Sequence, residues 1–313
     1  MDLLLDKTVF HAKNLQTMQD SNLKLATAIL PMFITIASFV VMAVAGRYVS
    51  DELDTFEILM YRSFLGFIII STFVIMTGKQ KMIQIALLKY HLLRNILHFG
   101  AQNLWFFAIT VIPLVQVFAL EFSVPIWILV LSPLFLKESF TKPRAFAAIM
   151  GFVGILLITR PNPEIINLGI IAAGLAALGF AGSIMITKIL TQQQNTLTIL
   201  FVMTVSQLVF AIIFSGYDLD IAYVTGTKIL WLLAIGIAGL MAHLCMTKAL
   251  SLAPASVVAP IDFLRLPVIA VVGYMLFSET VDSFLFYGII LIFVGNYVNI
   301  LAERSKYNSE IEQ

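Results

Sequence analysis

Residues 259–277 read APIDFLRLPVIAVVGYMLF, a run long enough to cross a bilayer as helix that nevertheless holds two full charges, Asp262 and Arg265. Three positions apart, the two side chains share one helix face and can pair. An ionisable group in hydrocarbon is costly unless it faces a bundle interior, water or an opposite charge, so each is a candidate for function. The chain has a short set of such groups: Arg62, Glu121, Asp262 and Arg265, with His98, His243 and Lys248 nearer the inner ends of their segments. Arg62 and Glu121 share a depth, as do His243 and Asp262, which predicts an Arg62–Glu121 pair beside the Asp262–Arg265 pair. A buried arginine can dock a carboxylate through two parallel bonds, and a desolvated carboxyl can carry a proton. Each pair stands beside a proline, Pro125 or Pro267, where a helix loses a backbone bond and opens polar groups to a cavity. Ion pairs that merely fix helix register are the competing explanation.

Gln102, Asn103 and Trp105, with Gln116 and Trp127, could line the same cavity by hydrogen bonding and stacking, or serve as glue between helices and as interface anchors. The expected substrate-binding set is Arg62, Gln102, Asn103, Trp105, Glu121, His243, Asp262 and Arg265, in a cavity walled by the third, fourth, eighth and ninth helices. No catalytic residue, cofactor or metal is expected. The chain has no GxxxxGK[ST] loop, no HExxH, no CxxC pair and no GxSxG elbow, so an ATP-driven pump and the usual hydrolases lack their parts. One cysteine, Cys245, excludes an intrachain disulfide.

The elements that must position these groups are membrane helices. With 60% hydrophobic and 12% charged residues among 313, the chain is too apolar for soluble domains. Ten apolar stretches fall near 25–46, 56–77, 92–112, 114–136, 144–159, 166–187, 197–216, 229–250, 256–277 and 283–302, each about the length that spans hydrocarbon. The segment from Gly78 to Asn95 reads as amphipathic and interfacial, and the small-residue string AAGLAALGFAG at 172–182 as a close packing face. Asn296 and Asn299 also fit packing. Residues 1–24 mix charges without an apolar core and read as a tail, as do 303–313. A net charge near zero gives no reason to expect a nucleic-acid partner.

Lys79, Lys81, Lys89, Arg94, Lys137, Lys142, Arg144, Lys188, Arg304 and Lys306 all fall on one side if both termini are cytoplasmic. Asp51, Glu52, Asp54, Asp218 and Asp220 then lie outside, and the positive-inside rule supports that orientation.

Sliding the chain against itself by 141 positions, without gaps, reveals an internal repeat. Pro113 falls on Pro254, Val117 on Val258, Glu121-Phe122 on Asp262-Phe263, Glu138 on Glu279, and FVG at 152–154 on FVG at 293–295. The units are 25–160 and 161–302. Five helices per unit is odd, so the second unit must enter the membrane from the opposite face, the arrangement that serves alternating access. Glu121 and Asp262, as repeat mates, are expected to face one half of the pore each.

These features resemble the drug/metabolite transporter superfamily, in its EamA-type bacterial branch. The likeness is carried by FAITVIPLVQVFALEFSVPIWILVLSPLFLKES, GFVGILLITRP, KALSLAPASVVAP and LFSET, and it covers residues 25–302. It implies an all-α integral membrane fold of ten transmembrane helices in two inverted five-helix repeats. It also implies transport without enzymatic chemistry, with cargo ranging from amino acids to nucleotide-like cofactors. The charged EFSVP and DFLRLP depart from the apolar cores usual in the family's fourth and ninth helices. The first expectation is export of a small polar or zwitterionic, amino-acid-like metabolite through the inner membrane. The alternative is uptake of a nucleoside-like or cofactor-like metabolite such as S-adenosylmethionine. Its partners are a small-molecule substrate and the lipid bilayer, with proton coupling and a homodimer left open.

Overall fold

The computed structural model describes residues 29–135, 142–160, 167–217, 221–252 and 261–311. The tail expected over 1–24, the basic loop around Glu138, Asp218 and Asp220, Pro254 and Val258, and the side chain of Asn299 lie outside the described residues. Within them the chain is helical: α1 (Ile29–Val49), α2 (Thr55–Met76), α3 (Leu88–Val111), α4 (Leu114–Glu121), α5 (Val124–Phe135), α6 (Lys142–Thr159), α7 (Leu168–Thr191), α8 (Thr196–Ser215), α9 (Lys228–Leu252), α10 (Arg265–Phe277) and α11 (Ser283–Ile311). A 3-10 turn, Gln80–Met82, precedes α3. Five of the helices, α1, α2, α7, α8 and most of α9, are long and apolar enough by themselves to cross a membrane.

Local chemistry explains several ends. Asp54 accepts from the Glu57 amide while the Glu57 carboxylate accepts from the Asp54 amide, a reciprocal cap that starts α2. Asn167 and Asn195 cap α7 and α8 in the simpler way. The third helix begins at Leu88, so the second half of the expected interfacial segment is helix, and its His91 and Arg94 are buried in the bundle. The last helix runs on to Ile311, through the expected tail.

Packing follows the repeat. α2 lies on α8 and α6 on α11, each helix against its own mate under the shift of 141; α4 lies on α10, whose mate is α5, and α3 lies along α7. The mate of that last contact is α9 on α1, where the Thr35 hydroxyl donates to the Ala242 carbonyl at 3.4 Å and Tyr48 stacks on Trp231. Small residues permit the close crossings. A Cβ on Gly154 would lie 2.7 Å from the Gly288 carbonyl oxygen, and one on Gly295 would lie 3.0 Å from that of Ala147. Gly154 and Gly295 are the glycines of the two FVG motifs, and Ala147 is the mate of Gly288. The string at 172–182 is a packing face as read: a Cβ on Gly179 would lie 2.9 Å from Ala101 Cβ.

The loops sort to two ends. At one, Lys228 reaches Asp51 at 2.6 Å, the Tyr61 hydroxyl donates to the Ala222 carbonyl at 2.8 Å, and Arg160 meets Asp282. At the other, Gln194 donates to the Ala86 carbonyl at 2.6 Å and Asn195 to that of Met82 at 2.8 Å.

Candidate functional site

The fourth and ninth spans are broken at equivalent places. α4 stops at Glu121, Phe122 and Ser123 form a turn, and α5 starts at Val124 with Pro125 in its first turn. In the other half Phe263 and Leu264 form the turn, and α10 starts at Arg265 with Pro267 in its first turn. Proline has no amide hydrogen to extend a preceding helix and is tolerated in a first turn, which is why the breaks fall just before it. Phe122 and Phe263, repeat mates, pack ring to ring across the two turns at 4.6 Å.

The breaks bring three charges together. Arg265 Nη1 lies 3.1 Å from Glu121 Oε1, outside hydrogen-bonding angle, and Arg265 Nη2 donates to Asp262 Oδ2 at 3.3 Å. Glu121 Oε2 accepts from Trp105 Nε1 at 2.9 Å. The guanidinium is 4% exposed and lies 4.5, 5.2 and 5.0 Å from the ring centres of Phe39, Phe118 and Phe122. Aromatic faces attract cations, so rings and carboxylates together make a cation site that Arg265 itself occupies. Two carboxylates against one guanidinium leave the group with a net charge of about −1 when all are ionised. Asp262 Oδ1 is buried with no hydrogen-bond partner.

The Asp262–Arg265 pair is therefore as expected, and the Arg62–Glu121 pair is not. Glu121 belongs to Arg265, and both carboxylates meet one guanidinium instead of facing separate halves of the pore. The physical reason is adjacency: α4 packs on α10, whereas α2 packs on α8 and α9. Residue counts along a span give depth, not neighbours. Arg62 lies away from that cluster, in a pocket of about 30 Å³ between α2, α8 and α9, with Ser63, Gln207, Gly239 and His243 in its lining. His243 also meets the His98 ring at 6.0 Å and the Phe39 ring at 6.1 Å, so Phe39 touches both groups. Of the expected walls, the third, fourth and ninth helices meet at the Arg265 cluster, through Trp105, Glu121 and Arg265. The eighth supplies His243 to the Arg62 pocket instead, with the second and seventh helices.

Of the remaining candidates, Asn103 turns its amide onto the Phe99 carbonyl at 2.9 Å and leaves Oδ1 buried and unbonded, as is Gln102 Oε1. Gln116 donates to the Thr159 carbonyl at 3.4 Å, tying α4 to α6, and Trp127 packs on Ala177 and Ala181 of α7. Lys248 is exposed. Asn296 bonds the Ile292 carbonyl of its own helix at 2.8 Å.

Sequence reasoning missed the ring of Phe39 and a third charged contact. Arg47 Nη1 lies 2.5 Å from Glu279 Oε1, which also accepts from the Leu114 amide at 2.8 Å, and Arg47 donates to the Ile109 and Ile112 carbonyls. This knot joins the end of α1, the α3–α4 turn and the loop after α10. The pairing of Glu279 with Glu138 in the repeat was a signal for it, but Arg47 at a helix end looks like any interfacial arginine.

The EamA-like transporter family model matches residues 26–160 and 167–301, the two halves of the chain. The S-adenosylmethionine uptake transporter of Rickettsia felis is 27% identical over 270 residues, covering 86% of this chain and 90% of that one. The riboflavin transporter of Brucella anthropi is 29% identical over 192 residues, 60% of this chain and 68% of that one. A solved crystal structure covers 90% of this chain and 98% of its own with a TM-score of 0.65 at 15% identity, a likeness of fold alone. Matched in both halves, the chain belongs to the EamA-like transporter family of the drug/metabolite transporter superfamily, as a multi-pass membrane transporter and not an enzyme.

Proposed function

We propose that this transporter takes up a cofactor-like, cationic metabolite such as S-adenosylmethionine by alternating access. The observation that carries the reading is the Glu121–Arg265–Asp262 group, which sets a net negative charge under Phe39, Phe118 and Phe122 and beside Trp105. A sulfonium or ammonium group suits such a site, as cations on aromatic rings do elsewhere. The cargo's cation competes with Arg265 for the two carboxylates, and Arg265 swings clear when the cargo binds. Flavin carries no such cation, so the site favours the S-adenosylmethionine relatives over the riboflavin one as a guide. Export of an amino-acid-like zwitterion, placed first from the sequence, has no comparable support in the names of these relatives.

In this reading the halves 25–160 and 161–302 are inverted in a cytoplasmic membrane, with both termini cytoplasmic. Two features favour it: helices packed on their repeat mates and loops alternating between two ends. Proton coupling would run through Asp262, whose buried Oδ1 has no hydrogen-bond partner. The test is uptake by proteoliposomes of labelled S-adenosylmethionine, riboflavin and methionine, with counterflow. Saturable uptake and counterflow of S-adenosylmethionine are expected; uptake of riboflavin or methionine alone would sink the assignment.

A further inference from the structure

Resting on the transport reading above, we propose that the Arg62 pocket is the anion subsite of the same cargo path, holding the carboxylate of a zwitterionic or cationic amino-acid moiety. The Glu121–Asp262 pair then takes the cation, with Phe39 touching both groups.

Arg62 is 8% exposed and has no hydrogen bond or ion pair among the described residues. A buried charge without a partner is costly, and native proteins as a rule pair it. Ser63 Oγ and Gln207 Nε2 line the same pocket, are themselves buried, and have no hydrogen-bond partner either. Guanidinium, hydroxyl and amide NH₂ are all donors, and no carboxylate is among the lining residues. Unsatisfied donors converging on one cavity call for an acceptor that bears negative charge.

Size and shape narrow the class. A volume of about 30 Å³ holds roughly two water-sized groups, which fits the two oxygens of a carboxylate better than a tetrahedral phosphate. The planar guanidinium matches a carboxylate in bidentate fashion. Gly239 lets the guanidinium lie against the α9 backbone: a Cβ there would lie 2.7 Å from Arg62 Nε and would displace it. Arg265, by contrast, is already met by two carboxylates and has no charge to spare for a third.

The test uses the purified full-length protein in detergent, read by melting temperature, with methionine, methioninamide and sodium chloride at equal ionic strength. Methionine should raise the melting temperature of the wild type and methioninamide should not. R62Q should erase that difference and R62K should restore part of it, while K228Q, at the peripheral ion pair with Asp51, should keep it. In liposomes the preference for S-adenosylmethionine over its decarboxylated analogue should fall at least about tenfold in R62Q, the strength of a charged hydrogen bond. Equal effects of methionine and its amide on the wild type, a difference that survives R62Q, or one that vanishes in K228Q would each overturn the subsite. Chloride alone stabilising as strongly, through Arg62, would also overturn it and leave an inorganic-anion site. A carboxylate effect without any S-adenosylmethionine uptake would keep the subsite and sink the cargo assignment instead.

Discussion

Glu121, the last residue of α4, lies 3.1 Å from Arg265, the first residue of α10, so a carboxylate at a helix C-terminus meets a cation at a helix N-terminus. Each charge stands at the end of its helix where the macrodipole disfavours it. Each relieves the other, and neither half-helix could hold its charge in a dry bundle alone.

That relationship predicts coupling. In a double-mutant cycle on unfolding in detergent, Glu121→Gln and Arg265→Gln should show a coupling of about 1 kcal/mol or more, because they share one contact. Arg62→Ala and Glu121→Ala should instead add to within about 0.5 kcal/mol. Strong coupling between Arg62 and Glu121 would mean that the neighbours described above are wrong.

The two carboxylates should differ in their response to pH. Glu121 has one oxygen beside Arg265 and the other bonded by Trp105, whereas Asp262 Oδ1 is buried with no hydrogen-bond partner. Asp262→Asn should flatten the pH dependence of uptake while leaving measurable cargo binding. Glu121→Gln should weaken binding and keep the pH profile. Uptake measured across a pH series in both variants decides it.

The Arg47–Glu279 knot should matter for stability. Glu279→Gln leaves a mostly buried guanidinium without its charge partner and weakens the acceptor for the Leu114 amide. Breaking a buried pair of this kind costs about 3 kcal/mol. Thermal or denaturant unfolding of the purified variant reads the loss.

Two glycines should behave oppositely. Gly154→Ala drives a methyl into the Gly288 carbonyl oxygen at the α6–α11 crossing and should destabilise by about 1–3 kcal/mol. Gly174→Ala, in the middle of α7 with open space around the added Cβ, should be neutral or stabilise by up to about 1 kcal/mol. Melting temperatures of the two variants, measured side by side, separate packing from helix propensity.

Much of this protein was legible without coordinates, because it rests on length, periodicity and repetition. Apolar stretches of spanning length announce helices whose backbone groups must be satisfied internally. The shift of 141 announced the duplication, and Pro125 and Pro267 announced where the fourth and ninth spans break. Asp262 and Arg265 were legible as a pair because the helix itself sets their spacing.

What only the tertiary structure decided is which helix lies against which. Arg62 and Glu121 share a depth along their segments, yet α4 seats Glu121 on α10 while α2 turns Arg62 toward α8 and α9. The ring of Phe39 beside Arg265 and the reach of Arg47 to Glu279 are contacts between distant segments, and in an apolar sequence one phenylalanine or one helix-end arginine looks like many others. Intrahelical spacing is written in the chain by the geometry of the α-helix. Lateral neighbours are set by how small residues such as Gly154, Gly179 and Gly239 let particular helices approach, and that choice exists only once the bundle has packed.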